Sequence, residues 1–170
     1  MQLREAINNR RSIRKYKPDP VSQEHINEIL ESGMKAPSAG NLQSRFFYAV
    51  KEPALRSDLA SAAFGHNFIS QAPVTIVVCT DLRIESTYGE RGTNLYAIMD
   101  CAASIQNMIL TAHSLGLGSC WVGAFNETQV SSTMEIPPHL RPVAIIPLGY
   151  PAESPKPPLK VAFENACKFQ

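Results

Sequence analysis

Three features of the 170-residue chain predict an α+β fold, a mixed sheet flanked by helices. Strand-like and helix-like segments alternate without the regular spacing of βαβ units. No GxGxxG follows any strand, which argues against a Rossmann dinucleotide domain. One stretch, Asn94 to Leu115, reads as a helix that is apolar nearly all round, with Asp100 its one charge. Such a helix belongs in the middle of a protein or in an interface. At this length the chain is a single domain, residues 1–170, able to bury about 70% of its unfolded surface.

The elements follow in order. Met1 to Asn9 forms a short helix with Leu3 and Ala6-Ile7 inward, then breaks into Asn9-Arg10-Arg11-Ser12-Ile13-Arg14-Lys15-Tyr16. Pro18 and Pro20 force extended chain. Ser22 starts a helix whose apolar face is Ile26, Ile29, Leu30 and Met34, and Pro37 stops it. Ser38-Ala39-Gly40-Asn41 is a tight turn of small residues. Phe46–Val50 reads as a strand, Ala54–Ala63 as a helix, and Phe64-Gly65-His66-Asn67 as a turn. Val74–Thr80, rich in β-branched residues, is a buried strand. Ile84–Gly92, polar and holding two glycines, reads as a mobile connection into the central helix. That helix, Asn94–Leu115, would be about 33 Å long and end on Gly116 and Gly118. A short buried strand, Ser119–Val122, stops at Gly123-Ala124 and presents bare backbone amides there. Asn126 caps a helix to Met134, and Val143–Leu148 is the last buried strand. The proline-rich tail, residues 151–170, cannot build a core of its own and must dock on something else.

Composition narrows the function. With 44% hydrophobic and 18% charged residues and a net charge of +1, nothing supports a nucleic-acid partner. The apolar runs fall far short of a membrane span, and Met1-Gln2-Leu3-Arg4 opens into helix without a signal-peptide core. Cys79, Cys101, Cys120 and Cys167 show no CxxC or Cys/His ligand spacing, so buried thiols in a reducing cytoplasm are expected. The four histidines are scattered too, and no metal site is expected.

Three polar stretches carry candidate chemistry. In extended chain alternate side chains share a face, so Arg10, Ser12 and Arg14 point one way and offer forked donors to an elongated anion. A lone cluster of this kind is more often a solvated basic edge. Pro37-Ser38-Ala39-Gly40-Asn41-Leu42-Gln43 by itself is more often a plain loop. Lys156 and Lys160 by themselves are an ordinary charged tail.

In combination these stretches resemble the nitroreductase family of FMN enzymes. The shared features are Arg-Arg-Ser-x-Arg near the N-terminus, Ala-Pro-Ser-x-x-Asn-x-Gln after it, Gly-Leu-Gly-x-x-x-x-x-Gly beyond the long apolar helix, and Gly-Tyr-Pro with late lysines. They cover essentially the whole chain in the right order. The resemblance implies a homodimer, FMN at the subunit interface, NAD(P)H as co-substrate, and the central helix packed against its mate. It also implies that the 151–170 tail docks on the partner subunit. Arg10, Arg11 and Ser12 would hold the FMN phosphate and ribityl chain, Arg14 would reach the pyrimidine edge, and Lys160 with Lys156 would close on the phosphate. Ser38 and Asn41, with Pro37, would come from the other subunit, and Gln43 would also bind the cofactor. Backbone amides at Gly123 and Ala124, flanked by Trp121 and Val122, would meet flavin N5 and O4, and Asn67 would lie over the pyrimidine.

The implied activity is two-electron, ping-pong transfer from NAD(P)H through flavin N5 to a nitroaromatic, quinone or similar acceptor, without a protein acid or base. Two alternatives stay open at this level. One is a family offshoot using FMN for dehydrogenation, dehalogenation or flavin-consuming chemistry; the other is a non-catalytic FMN-binding protein. The chain also departs from the family pattern. Gln43-Ser44-Arg45 replaces Gln-Pro-aromatic and leaves Arg45 an unexplained charge. Lys156-Pro157-Pro158-Leu159-Lys160 replaces a paired Lys-x-Arg, and the segment between Asp81 and Asn94 is short.

Overall fold

The computed structural model describes residues 1–170. A four-stranded sheet in the order β1-β2-β4-β3 forms its middle layer, from β1 (Arg45–Val50), β2 (Val74–Asp81), β3 (Gly118–Ser119) and β4 (Leu140–Gly149). All three ladders are antiparallel. The parallel component of the expected mixed sheet is the isolated bridge between Ser12 and Ser119. The β2–β4 register shifts between Val78 and Cys79, beside Pro142, and a bulge is where a strand tolerates a residue without an N–H.

Every residue of β2 from Val74 to Thr80 is buried, because both faces of the sheet are covered. Val74, Ile76 and Val78 face α2 (Gln23–Met34) and α6 (Ala97–Ser114), packing with Ile26, Ile29, Ile105 and Met108. Val77 and Cys79 face the other way, toward Leu59, Ile69 and Val130 of α3 (Pro53–Ala62), α4 (Phe68–Gln71) and α7 (Glu127–Thr133). This period-two division of one apolar run between two cores makes the strand legible in sequence.

The predicted caps form. Ser22 Oγ accepts from the His25 amide at 3.2 Å, and Asn126 Oδ1 accepts from the Gln129 amide at 3.0 Å. At the end of α6, Gly116 adopts φ 77°. Its amide donates to His113 O and the Leu117 amide to Ala112 O, the two bonds of a Schellman cap.

Four expectations are corrected. Ile84–Gly92 is not a loose connection: Leu82–Ile84 is a 3₁₀ turn and Glu85–Arg91 is α5, kinked at Gly89 (φ 55°, ψ −154°), which leads through one wide π turn, Gly92–Tyr96, into α6. Its stabilising contacts are aromatic and invisible to a polarity scan: Tyr88 meets Tyr96 edge-on at 5.3 Å, and Arg91 lies 5.4 Å over the Tyr96 ring. The Ser119–Val122 strand shrinks to Gly118–Ser119, with Val122 bridging Ile145 alone. Gly118 is no helix cap, because a Cβ there would lie 2.7 Å from Ile13 Cγ1; its bare backbone lets the N-terminal segment lie on β3. Cys79, Cys101 and Cys120 are buried thiols, but Cys167 is exposed, on the tail beyond α8 (Phe163–Ala166). No helix is long and apolar enough to cross a membrane.

Candidate functional site

The N-terminal helix α1 (Leu3–Asn9) ends at Arg10. Arg11 Nη1 donates to Asn8 O at 2.7 Å and Arg10 O at 2.8 Å, capping the last carbonyls of α1. The chain then runs extended along β3. The Ile13 amide donates to Ser119 O at 2.9 Å, Ile13 is buried, and Tyr16 Oη donates to Ile13 O at 2.6 Å. With Ile13 inward, alternation turns Ser12 and Arg14 outward.

The start of the tail braces this segment. Tyr16 bridges Pro151, the Lys17 amide donates to Tyr150 O at 2.8 Å, and the Ala152 amide donates to Lys15 O at 2.9 Å. The Arg14 amide donates to the Glu153 carboxylate. Beyond Glu153 the tail turns over the outward face. Arg10, Arg11, Ser12 and Arg14 therefore line one cleft of about 570 Å³ with Lys156 and Lys160. Neither Arg10 nor Arg14 forms a salt bridge in the chain, whereas Arg11 is engaged by α1.

The cations also act on buried groups beside the segment. Burial pushes the Cys120 thiol up, against the opposing pull of Arg14, a hydrogen bond with Ser12, and Arg10. Burial likewise lowers the His113 imidazole, with Arg10 and Arg11 adding to the effect. Tyr16 is a neutral phenol held well above its ordinary range by burial.

The other expected site residues lie outside this cleft. Pro37, Asn41 and Gln43 are exposed on the loop after α2, and Ser38 is half-buried with its Oγ accepting from the Gln43 amide at 3.0 Å. Trp121, Gly123 and Ala124 lie beyond the end of β3, with Trp121 and Gly123 exposed. The Val122 amide and carbonyl are both engaged by Ile145. The amides of Gly123 and Ala124 have no backbone partner, and no heavy atom lies within 4 Å of where a Gly123 Cβ would stand. Asn67 is exposed on the turn before α4. That turn and the Gly123 loop rise from one core, and the Asn126 amide joins the loop to the end of α3 by donating to Ala62 O at 2.9 Å.

Within the chain, then, a cationic cleft, a bare-amide strand end and a polar loop are separate features. Sequence reading missed three supports. Glu153 carried no signal. Arg45, unexplained in sequence, donates to Met34 O at 2.6 Å and Ala36 O at 2.9 Å and so caps α2. Asp100, which stood out as the one charge of the central helix, accepts from the Ala39 amide at 3.0 Å.

Comparison with known proteins bears on this arrangement. A profile of the Nitroreductase family matches residues 7–70 and 64–150. A protein of Methanothermobacter thermautotrophicus assigned as an NADH dehydrogenase/NAD(P)H nitroreductase is 38% identical over 159 residues, spanning 91% of this chain and 80% of the relative. The Bacillus subtilis protein named FMN reductase (NAD(P)H) is 29% identical over 163 residues, 87% of this chain and 65% of that one. A crystal structure from Bacteroides thetaiotaomicron, also assigned as an NADH dehydrogenase/NAD(P)H nitroreductase, superposes with a TM-score of 0.87. Its identity is 30%, covering 99% of this chain and 97% of its own.

Proposed function

The chain belongs to the nitroreductase family, and from that premise we propose that it is an FMN-dependent NAD(P)H oxidoreductase working as a homodimer. The observation that carries this reading is the cleft in which the Arg10–Arg14 segment and the Lys156–Lys160 tail close on one another. A phosphate monoester needs two or three cationic donors, and Arg10, Lys156 and Lys160 provide them without competing ion pairs. The residues present fit FMN in a second respect: the free amides of Gly123 and Ala124 are donors on a strand end uncrowded by side chains.

Bound FMN would supply the hydride chemistry, accepting two electrons from the nicotinamide and passing them to a small acceptor such as a nitroaromatic or quinone. The chain's own residues bind and orient. Arg10, Ser12 and the two lysines would hold the phosphate and ribityl end, with Arg11 lending charge from its place against the end of α1. Arg14 would hold the pyrimidine edge, the amides of Gly123 and Ala124, beside Trp121, would donate to the ring edge, and Asn67 would contact the pyrimidine. Pro37, Ser38, Asn41 and Gln43 complete the site from the partner protomer, which is why one chain displays the two halves apart.

A twofold assembly also accounts for surface that one chain leaves bare. Ile98 and Met99 of α6 are exposed, as are Leu3, Ile7, Met34 and Phe46. In the tail, Leu159, Val161, Phe163 and Phe169 are uncovered, and docking of residues 151–170 on the partner would bury them. Obligate interfaces of this type bury more than about 2,000 Å². Sedimentation followed at a flavin wavelength should show one species of twice 18.7 kDa, and heat should release FMN from it. A monomer still holding flavin, or release of FAD, would contradict the reading.

A further inference from the structure

The loop from Ala36 to Gln43 is held in a costly shape. Gly40 has φ 54°, Asn41 56° and Gln43 53°, three left-handed residues in four, two of which carry a Cβ. Such backbone persists only where its surroundings over-determine it. Gly40 is further hemmed in, since a Cβ there would lie 2.5 Å from Tyr88 Oη.

Two charges fasten this loop. Asp100 is only 5% exposed near the start of α6, where a carboxylate is expensive to bury and an apolar residue would pack. Its Oδ1 takes the Ala39 amide, 61 positions away in sequence, at 3.0 Å. Arg45 Nη2 holds the backbone at the other end, at Met34 O and Ala36 O. Asp100 Oδ2 and Arg45 Nη1 are both buried without a partner; burial lowers the Arg45 guanidinium, and the Asp100 carboxylate opposes that shift. Instead of closing into a direct ion pair, each charge directs its hydrogen bonds to the loop backbone. Asp100 also lies next to Met99, on the helix whose exposed residues face the proposed partner.

We propose that Asp100 is a positioning residue that sets the Ala36–Gln43 loop, braced at its other end by Arg45, so that Ser38 and Asn41 reach the partner protomer's FMN. The inference rests on the dimeric FMN reading above and adds to it which residues of the donating subunit control that reach. Arg45 replaces the aromatic of the family pattern, so this chain anchors the loop with a cation.

The test is FMN titration of the apoprotein, read by quenching of flavin fluorescence, on a double-mutant cycle. Asp100→Ala removes the acceptor. Ala39→Pro removes the donor at the first position of a 3₁₀ turn, and Ser38 before it is already extended at φ −144°, ψ 156°, as a residue preceding proline should be. Each single change should raise the FMN Kd about tenfold or more. The double variant should be no worse than the poorer single, because both delete one bond. Asp100→Asn keeps an acceptor for the Ala39 amide and should stay within about threefold of the parent. Should Asp100→Ala not fold, Asp100→Leu, which fills the vacated volume and also lacks an acceptor, takes its place in the cycle with the same non-additivity expected. Unchanged affinity in the single variants, or losses that simply add, would overturn the proposal. A parent protein that binds no FMN would refute the underlying reading instead.

Discussion

Replacing Arg10 and Lys160 together with alanine should yield a folded protein that purifies without its yellow colour. Both side chains line the cationic cleft, one from the N-terminal segment and one from the tail. Neither has an ion pair within the chain, since the two salt bridges join Arg83 to Asp81 and Arg141 to Glu127. Their removal therefore leaves no buried charge unpaired, and the cost falls on the ligand. A hydrogen bond to a charged group contributes about 1.5–3 kcal/mol. Losing two should cost about 3–6 kcal/mol of binding, or roughly a hundredfold to ten-thousandfold in Kd. Titration of the apoprotein with FMN measures this, and riboflavin, which lacks the phosphate, should lose far less affinity. An equal loss for both ligands would place these cations elsewhere than at the phosphate.

Arg14 is expected to behave differently from its neighbours in the same cleft. The phosphate carries the same charge in both redox states, so Arg10 and Lys160 stabilise the two states alike. A guanidinium at the pyrimidine edge favours the reduced ring system, which carries more negative charge. Changing Arg14 to Gln should thus lower the midpoint potential of bound FMN. A differential interaction of about 1.5–3 kcal/mol corresponds to roughly 30–60 mV for a two-electron couple. Lys160→Ala, measured at saturating FMN, should shift little. The backbone of Arg14 is fixed by Glu153 and the Tyr16–Pro151 bridge, so the substitution changes charge without releasing the segment. Equal potentials in both variants would remove Arg14 from the ring.

Much of this fold is written in local pattern. Ser22 and Asn126 cap the helices they precede, and the β2 apolar run announces a strand covered on both sides. Gly116 ends the central helix where its left-handed φ is required. What the sequence concealed depends on contacts between distant residues. Glu85–Arg91 looks like a polar linker, yet Tyr88, Tyr96 and Arg91 stack into a helix-stabilising cluster that no periodicity reveals. Gly118 resembles a helix cap, but its neighbour in space is Ile13, more than a hundred residues away. Arg45 made no sense beside Ser44 because its partners, Met34 O and Ala36 O, belong to the end of α2.

The cleft was legible for a similar reason. The Arg10–Arg14 alternation follows from extended chain alone, whereas bringing Lys156 and Lys160 over it requires the tail to turn at Pro151–Glu153. The separation of Ser38 and Asn41 from that cleft agrees with the family resemblance, which assigns them to the other subunit, and no pattern within one chain gives it.

The most direct measurement is anaerobic mixing of the FMN-loaded protein with NADH and with NADPH in a stopped-flow instrument. The oxidised flavin absorbance should bleach rapidly with at least one of them, and a quinone or nitroaromatic added afterwards should restore it without oxygen. A protein that holds FMN but bleaches with neither nucleotide would contradict the assignment as an NAD(P)H oxidoreductase.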